Sequence, residues 1–232
     1  MSFSAVTTPS GCRYGNGRGP KVLMVAGDSH AAAWAPAMET LANQGRFTLE
    51  YNTRDSCSIQ DRGLTGESTE VPSCLRWKKN VVAKIKKNPP DVLLLSYYTY
   101  TKPITLAAHE AAMRDLLRQI PRYTQVVFIR DTPRFSDDVM QCLQQNLDRP
   151  GACAVLRKDS VDEQYFPINK KLAKEFGAKV LDMNDYICDA NYCYPAIGDT
   201  TVVKDAHHLA RGFAQKMTPA LLAELRRIGI LR

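Results

Sequence analysis

The chain has 232 residues, a length that suits one medium-sized domain. Hydrophobic residues make up 44% of it and charged residues 24%, so the composition excludes an intrinsically disordered protein. No apolar run approaches the roughly 20 residues that a membrane-spanning helix needs. The net charge of +7 favours an anionic partner, such as an acidic glycan or a lipid surface, but scattered charges also fit an ordinary basic surface. No nucleic-acid-binding signature is present, and we predict no nucleic-acid partner.

The N-terminal segment, residues 1–20, is polar and lacks the apolar stretch that a signal peptide carries. It predicts a flexible tail or linker, and the folded domain is expected to occupy residues 21–232. If the domain is exported, we expect a segment outside this sequence to direct the export.

Short apolar runs alternate with segments of helical periodicity along the rest of the chain. The predicted strands are residues 21–26, 47–52, 91–96, 125–130 and 179–183. The predicted helices are residues 31–42, 75–87, 105–119, 136–147 (with Ser136 as N-cap), 160–176 and 209–228, and residues 54–73 are a predicted loop. This alternation predicts an α/β fold, a three-layer α/β/α sandwich with a five-stranded parallel sheet of the flavodoxin-like kind. Such folds bind ligands at the carboxyl ends of their strands.

Seven cysteines occur without a CxxC pair, which argues against a zinc ribbon or a thioredoxin-like site. Six of them lie in pairs around short, turn-rich loops, and we predict that disulfides close these loops. The predicted pairs are Cys57–Cys74, Cys142–Cys153 and Cys188–Cys193. They indicate an oxidising compartment, the alternative being seven reduced cysteines in a cytosolic protein. Cys12 remains, which suggests a partner upstream of this sequence.

Gly27-Asp28-Ser29-His30 separates the first predicted strand from the first predicted helix. Glycine allows a tight turn where a side chain would clash. Ser29 then lies at the beginning of the helix, where free N–H groups favour negative charge. A serine in this position can act as a nucleophile, with the oxyanion of the substrate stabilised nearby. The alternative is structural, with Asp28 or Ser29 merely capping the helix.

Asp205 and His208 form a second motif, just before the last predicted helix. A serine nucleophile needs a nearby base, and a carboxylate three residues before a histidine can orient its imidazole. We therefore predict Ser29, Asp205 and His208 as the catalytic residues. The alternatives are an exposed histidine pair or a metal site that uses His207 and His208. We expect no metal, because the side chains of adjacent histidines usually diverge.

The two motifs, on an alternating α/β pattern, resemble the SGNH hydrolase superfamily. Further residues resemble the SGNH domains that are fused to acyltransferase-3 membrane domains, and this resemblance extends from residue 21 to the C-terminus. These residues are Trp34, Pro36, Asp131-Thr132-Pro133, Cys142, Cys153, Cys188, Cys193, Pro195-Ala196-Ile197-Gly198 and Leu209.

The resemblance implies an O-acyltransferase, usually of acetyl groups, that forms an acyl-enzyme on Ser29 and acylates a cell-envelope glycan. It also implies an upstream acyltransferase-3 transmembrane domain as acyl donor, an extracytoplasmic location, no cofactor and a monomeric isolated domain. Two alternatives share the fold: a carbohydrate O-acetyl esterase with the same triad, and a non-catalytic glycan-binding module.

The oxyanion donors depart from the superfamily pattern, which implies a glycine after the second strand and an asparagine after the third. The third strand here continues into residues 96–100, a tyrosine-rich stretch without either residue type, and Gly63 and Gly66 are candidates after the second strand. Tyr98 can line a sugar subsite or simply pack at the strand end. The candidate oxyanion or substrate residues are Gly27, Asp28 and Tyr98.

Overall fold

The computed structural model describes residues 12–15, 19–60, 72–99 and 105–232. Over these ranges the strands are β1 (Cys12–Tyr14), β2 (Val22–Gly27), β3 (Thr48–Thr53), β4 (Val92–Ser96), β5 (Gln125–Ile129), β6 (Val155–Leu156), β7 (Lys179–Leu181), β8 (Tyr192–Cys193), β9 (Ala196–Ile197) and β10 (Thr200–Thr201). The helices are α1 (Ser29–Ala33), α2 (Ala35–Asn43), α3 (Pro72–Lys87), α4 (Leu106–Gln119), α5 (Val139–Gln145), α6 (Arg157–Ser160), α7 (Tyr165–Phe176), α8 (Arg211–Lys216) and α9 (Thr218–Arg227).

The central sheet contains six strands of the described residues, in the order β1-β3-β2-β4-β5-β7. Five of these strands run parallel to one another, namely β3, β2, β4, β5 and β7. The sixth strand, β1, pairs antiparallel with β3. The predicted α/β fold with its parallel sheet is confirmed, but the sheet has one strand more than predicted. The added strand, Cys12–Tyr14, is three residues of a polar stretch, too short to show a strand pattern. The predicted tail otherwise falls mostly on residues 1–11 and 16–18, outside the described ranges, and stays a prediction.

Helices cover both faces of the sheet, because successive residues of a strand point to opposite faces. Leu23 packs into one apolar cluster with Trp34, which lies between α1 and α2. Met24 packs into the cluster on the other face with Trp77 of α3. Burial of a side chain such as Leu23 or Met24 stabilises the fold by about 1.5–3 kcal/mol. The three-layer architecture therefore follows from the mainly apolar central strands β2, β4 and β5, which bury side chains on both faces.

Three predicted helices are each divided in two. Residues 31–42 fall on α1 and α2, which are separated by Trp34. Residues 160–176 form the end of α6 and then α7, because the Asp162 side chain accepts hydrogen bonds from three backbone N–H groups at the start of α7. Residues 209–228 are divided between α8 and α9, and Pro219 lies in the first turn of α9. Proline fits the first turn of a helix but not its interior. The predicted interruption near Pro219 therefore marks a new helix.

The predicted N-cap of α5 is wrong. The helix begins at Val139, preceded by Asp138, and no side chain caps it. Ser136 instead accepts the N–H of Val139 through its carbonyl oxygen. The chain is held just before this point by the N–H of Phe135, which donates to the carbonyl of Ala206 at 2.7 Å. Residues 136–138 therefore make a turn before the helix can start.

The three predicted disulfides are present, as Cys57–Cys74, Cys142–Cys153 and Cys188–Cys193. They close loops with sequence separations of 17, 11 and 5 residues. Disulfides form and persist in oxidising compartments, so this set fits an extracytoplasmic domain. Among the helices that the structure describes, none combines the length and the apolar character needed to cross a bilayer.

Candidate active site

Ser29 is the first residue of α1, and one residue, Asp28, separates it from the carboxyl end of β2. The turn depends on Gly27, whose φ of 155° belongs to a region that residues with a side chain rarely adopt. A Cβ on this residue would also collide with the carbonyl oxygen of Ser96 in the neighbouring β4. Glycine thus allows β2 to end against β4, and Ser29 lies partly exposed at the carboxyl edge of the sheet.

Ser29, His208 and Asp205 form a continuous hydrogen-bonded chain. His208 Nε2 lies 2.8 Å from Ser29 Oγ, across a sequence separation of 179 residues. His208 Nδ1 lies 2.8 Å from Asp205 Oδ2. Since the carboxylate accepts the proton on Nδ1, Nε2 carries the lone pair that can take the proton of the serine. The structure therefore brings the three predicted catalytic residues together in the order that nucleophilic catalysis requires.

Asp205 also orders the backbone that carries the base. Its Oδ1 accepts the N–H of His207 at 3.0 Å and the N–H of His208 at 2.8 Å. Partial burial raises the pKa of Asp205, but these backbone bonds, with the hydrogen bond and charge of His208, outweigh burial and bring the pKa to about 2. The carboxylate is therefore charged at neutral pH and can stabilise a protonated His208.

Asp28 joins the segments that follow three strands, behind Ser29. Its carboxylate accepts the N–H of His30 at 2.9 Å, the N–H of Tyr98 at 2.8 Å and the hydroxyl of Ser58 at 3.3 Å. The side chain is buried, and burial raises its pKa. Asp28 therefore holds the framework of the site, and a contact with substrate stays a prediction for it.

A second hydrogen-bonded chain lies beside the first one. Asp131, which follows β5, accepts the N–H of Thr132 and both the N–H and the hydroxyl of Thr99. His30 Nδ1 lies 2.5 Å from Asp131 Oδ1. His30 Nε2 in turn lies 3.0 Å from His207 Nδ1. His30 and Asp131 are both 3% exposed, so this pair is shielded from water.

The pKa values of the two histidines of this chain are shifted in opposite directions. Burial lowers the pKa of His30, but the charge and hydrogen bond of Asp131 and the charges of two further carboxylates outweigh burial and raise it. Burial lowers the pKa of His207, and positive charge on His208 and His30 lowers it further. His30 therefore favours the charged form and His207 the neutral form.

Tyr98 holds side chains of this second chain in place. Its ring stacks on His207 with the centroids 4.5 Å apart, and it lies 4.6 Å from the ring of His30. Its hydroxyl accepts a hydrogen bond from Arg134 Nη1 at 2.6 Å. Tyr98 is half-buried, and its role as an oxyanion or sugar-contacting residue stays a prediction.

Three ring nitrogens, from His30, His207 and His208, lie within 4.8 Å of one another. The expectation that adjacent histidine side chains diverge is wrong here, since the ring centroids of His207 and His208 are 4.2 Å apart. The hydrogen bond to His30 holds one ring and the hydrogen bond to Ser29 holds the other. The nitrogens could reach one metal ion, but the ion would have to replace both of these hydrogen bonds.

An open cavity of about 420 Å³ lies over Ser29 and His208. The charged residues of its wall are Glu39, Asp55, Lys204 and Arg211. A cavity of this size is in the range that small-molecule sites occupy. The serine hydroxyl is therefore accessible to a substrate of about the size of a sugar residue.

The sequence analysis predicted no catalytic role for His30, Asp131 or His207. A usable signal exists, because His30, Thr99 and Asp131 follow the carboxyl ends of the adjacent strands β2, β4 and β5. Residues in such positions meet at one edge of a parallel sheet. The pairing itself spans 101 and 177 residues, so no pattern along the chain indicates it.

The fold and the site together define an α/β protein of the esterase and acyltransferase class. The family model described as "SGNH domain (fused to AT3 domains)" matches residues 3–223, and the chain belongs to this family. No curated protein matches the chain.

Solved structures with similar folds agree with this assignment. The periplasmic domain of a lipopolysaccharide acetyltransferase from Salmonella ser. Paratyphi A has a TM-score of 0.70 and 16% identity, over 90% of this chain and 84% of that one. A putative GDSL-like lipase from Bacteroides ovatus has a TM-score of 0.56 and 10% identity, over 93% of this chain and 55% of that one. A GDSL-family lipolytic protein from Veillonella parvula has a TM-score of 0.52 and 14% identity, over 89% and 98%. At these identities, the likeness establishes the fold alone.

Proposed function

We propose that this chain is an extracytoplasmic O-acyltransferase domain that transfers an acetyl group to a hydroxyl of a cell-envelope glycan through an acyl-enzyme on Ser29. The observation that carries the proposal is the chain from Ser29 Oγ through His208 to Asp205, with both contacts at 2.8 Å. Membership of a family fused to AT3 domains supports transfer in preference to hydrolysis. The similarity to the periplasmic domain of a lipopolysaccharide acetyltransferase supports an acetyl group and a glycan acceptor.

Acylation uses the hydrogen bond between serine and histidine. His208 Nε2 takes the hydroxyl proton of Ser29 while Oγ attacks the carbonyl carbon of an activated ester or thioester. Asp205 stabilises the imidazolium that forms. The tetrahedral intermediate then collapses, the bond to the leaving group breaks, and the leaving group takes the proton from His208. The acetyl ester of Ser29 remains.

Deacylation repeats these proton transfers with a glycan as nucleophile. The neutral His208 takes a proton from a glycan hydroxyl, whose oxygen attacks the acetyl carbonyl carbon. Ser29 Oγ leaves and recovers the proton from His208. Water in place of the glycan would give acetate, so occupancy of the cavity by a sugar decides between transfer and hydrolysis.

A membrane partner follows from the same proposal. An AT3 domain in the membrane would supply the acetyl donor, and the disulfide-linked domain would carry out transfer on the extracytoplasmic side. The proton transfers use only three side chains and need no cofactor. The isolated domain is proposed to be monomeric.

The test uses p-nitrophenyl acetate as donor and methyl β-D-glucopyranoside as acceptor. Mass spectrometry of the intact protein is expected to find one acetyl group on Ser29, and the products are expected to include acetylated glycoside. Ser29→Ala is expected to lower the rate by at least about 10⁴-fold, whereas Ser136→Ala, at an exposed site, should leave it unchanged. Full activity of Ser29→Ala would contradict the proposal. Acetate without acetylated glycoside would favour the esterase alternative.

A further inference from the structure

We propose that His207 donates a hydrogen bond from Nε2–H to the carbonyl oxygen of the acetyl group, and that Asp131 and His30 hold it in the protonation form that can do so. This inference rests on the proposed function, because it concerns the same acyl-transfer site. It assigns a role to the second hydrogen-bonded chain, which the proton transfers between Ser29 and His208 do not use.

The acyl carbonyl oxygen becomes negatively charged in the tetrahedral intermediate and needs preorganised donors. Two described residues after β4, Tyr98 and Thr99, do not offer their backbone N–H groups to a substrate. The N–H of Tyr98 donates to Asp28 at 2.8 Å, and the N–H of Thr99 donates to Asp131 at 2.8 Å. Both groups are therefore committed inside the protein, which favours a side chain as the donor among the described residues of this side of the site.

The hydrogen-bond pattern determines which nitrogen of His207 carries a proton. The carboxylate of Asp131 accepts from three backbone and hydroxyl donors and from His30 Nδ1–H. One proton lies between His30 Nε2 and His207 Nδ1, which are 3.0 Å apart. When His30 is doubly protonated, it donates this proton, so the single proton of a neutral His207 is on Nε2. When His30 is neutral, the hydrogen bond reverses and His207 Nε2 has a lone pair instead.

The surroundings of His30 favour the doubly protonated form. The titratable groups around it are Asp28, Tyr98, Asp131, Asp205, His207 and His208. Three of these are carboxylates, and one contacts the imidazole directly in a site shielded from water. The ring of His208 lies on another side of His30, with the ring centroids 4.9 Å apart. Arg134 acts on His207 and further favours its neutral form.

The His207 ring is also held in position. It stacks on Tyr98, and its carbonyl oxygen accepts the hydroxyl of Thr132 at 3.0 Å. Its centroid is 4.2 Å from that of His208, which contacts the nucleophile. Within the part of the chain that the structure describes, Nε2 of His207 has no protein acceptor, and the side chain is only partly buried. A fixed N–H donor beside the base, with no protein partner, is suited to an oxygen of the substrate.

The first test measures acetylation of the whole chain by p-nitrophenyl acetate in the presence of EDTA. His207→Phe keeps a ring to stack on Tyr98 but removes the donor. We expect it to lower kcat for acetylation by about 100-fold with little change in KM. His207→Gln retains an amide N–H, and we expect it to recover part of this loss. Near-UV circular dichroism and Tm of both variants establish that they are folded.

The second test uses pH. In the unmodified protein, kcat for acetylation should fall as His30 loses its proton at alkaline pH. The proton of His207 then lies on Nδ1, so Nε2 has a lone pair and cannot donate to the carbonyl oxygen. His207→Gln should lack this alkaline decrease, since its amide does not depend on His30. Two-bond ¹H–¹⁵N spectra of the unmodified protein should find the proton of His207 on Nε2 near neutral pH. This measurement needs no variant.

Several outcomes would overturn the inference: wild-type acetylation kinetics in His207→Phe, a proton on Nδ1 of His207 at neutral pH, or a loss confined to transfer onto the glycoside. A lower rate of the unmodified protein on addition of EDTA would also overturn it, because a metal would then occupy the histidine cluster. These outcomes are distinct from failure of the proposed function, which would appear as full activity in Ser29→Ala.

Discussion

Asp205 receives three hydrogen bonds, two from backbone N–H groups and one from the imidazole of His208. The backbone bonds hold the turn, and the third bond selects the tautomer of the base. The side chain is 44% exposed, so its contribution to folding stability is small. Its importance lies in the orientation and protonation of His208.

Asp205→Asn should therefore separate catalysis from stability. The amide oxygen can still accept the backbone N–H groups, but the amide nitrogen would face His208 Nδ1 and move the imidazole proton to Nε2. His208 could then no longer take the serine proton, and kcat with p-nitrophenyl acetate should fall by about 10⁴-fold. Tm should change little. Asp199→Asn, at an exposed carboxylate paired with Lys216, is the matched control, and an equal loss there would contradict the prediction.

The site residues differ in how far the sequence could identify them. Ser29, Asp205 and His208 were predicted because each lies in a local motif next to a strand or helix boundary. The contacts of His30 with Asp131 and His207 were not predicted, because they depend on how three distant segments meet at the carboxyl edge of the sheet. The expectation that the adjacent side chains of His207 and His208 diverge was also wrong. Hydrogen bonds to His30 and to Ser29 hold the two rings close together.

At the scale of elements, the turn between β2 and α1 depends on the absence of a side chain at Gly27. In Gly27→Ala, the Cβ would collide with Ser96 of β4, and the residue would keep an unfavourable φ. We expect a loss of about 2–4 kcal/mol of unfolding free energy, from strain and overpacking together. Gly212→Ala in α8 is the control, because its Cβ would meet nothing within 4 Å and should stabilise the helix by up to about 1 kcal/mol. Urea unfolding of both variants measures their free energies of unfolding. A similar loss of stability in Gly27→Ala and Gly212→Ala would contradict the prediction.

The disulfides should stabilise the domain in the order of their loop lengths. Cross-linking lowers the conformational entropy of the unfolded chain and so raises the free energy of unfolding. The expected gain is about 3 kcal/mol for a separation of 17 residues and about 2 kcal/mol for a separation of 5. Paired replacement of Cys57 and Cys74 by serine should therefore lower the urea midpoint more than paired replacement of Cys188 and Cys193. The reverse order would indicate that native contacts of the second loop matter more than chain entropy.

The sequence predicts a strand or helix where its hydrophobic pattern extends over enough residues to be recognised. The central strands β2, β4 and β5 are mainly apolar runs with buried residues on both faces, and their alternation with helical segments indicates the fold. The antiparallel β1 and the two-residue ribbon strands Val155–Leu156 and Tyr192–Cys193 carry no such pattern. Their pairing depends on the tertiary partner, which in the ribbon includes a disulfide-linked cysteine.

At the scale of the whole molecule, one edge of the sheet carries both the nucleophile and a buried ion pair. β2, β4 and β5 end side by side, and the residues after them meet as His30, Thr99 and Asp131. Burying a histidine beside a carboxylate is costly unless the two compensate each other. Folding of the domain is thereby linked to protonation of His30.

This linkage predicts a specific dependence of stability on pH. In the folded protein the pKa of His30 is raised above the ordinary value for histidine, since the charge and hydrogen bond of Asp131, with the charges of Asp28 and Asp205, outweigh burial. Folding therefore favours the protonated form, so the stabilisation is fully present below the unfolded pKa and is lost as pH rises through the folded pKa. Urea unfolding between about pH 6 and pH 9 should find the unmodified protein losing stability relative to His30→Gln as pH rises. Burial also raises the pKa of Asp28, and the charge of His30 lowers it, so the difference between the two proteins reports His30 together with its effect on Asp28. Parallel curves would mean that His30 is not charged in the folded protein.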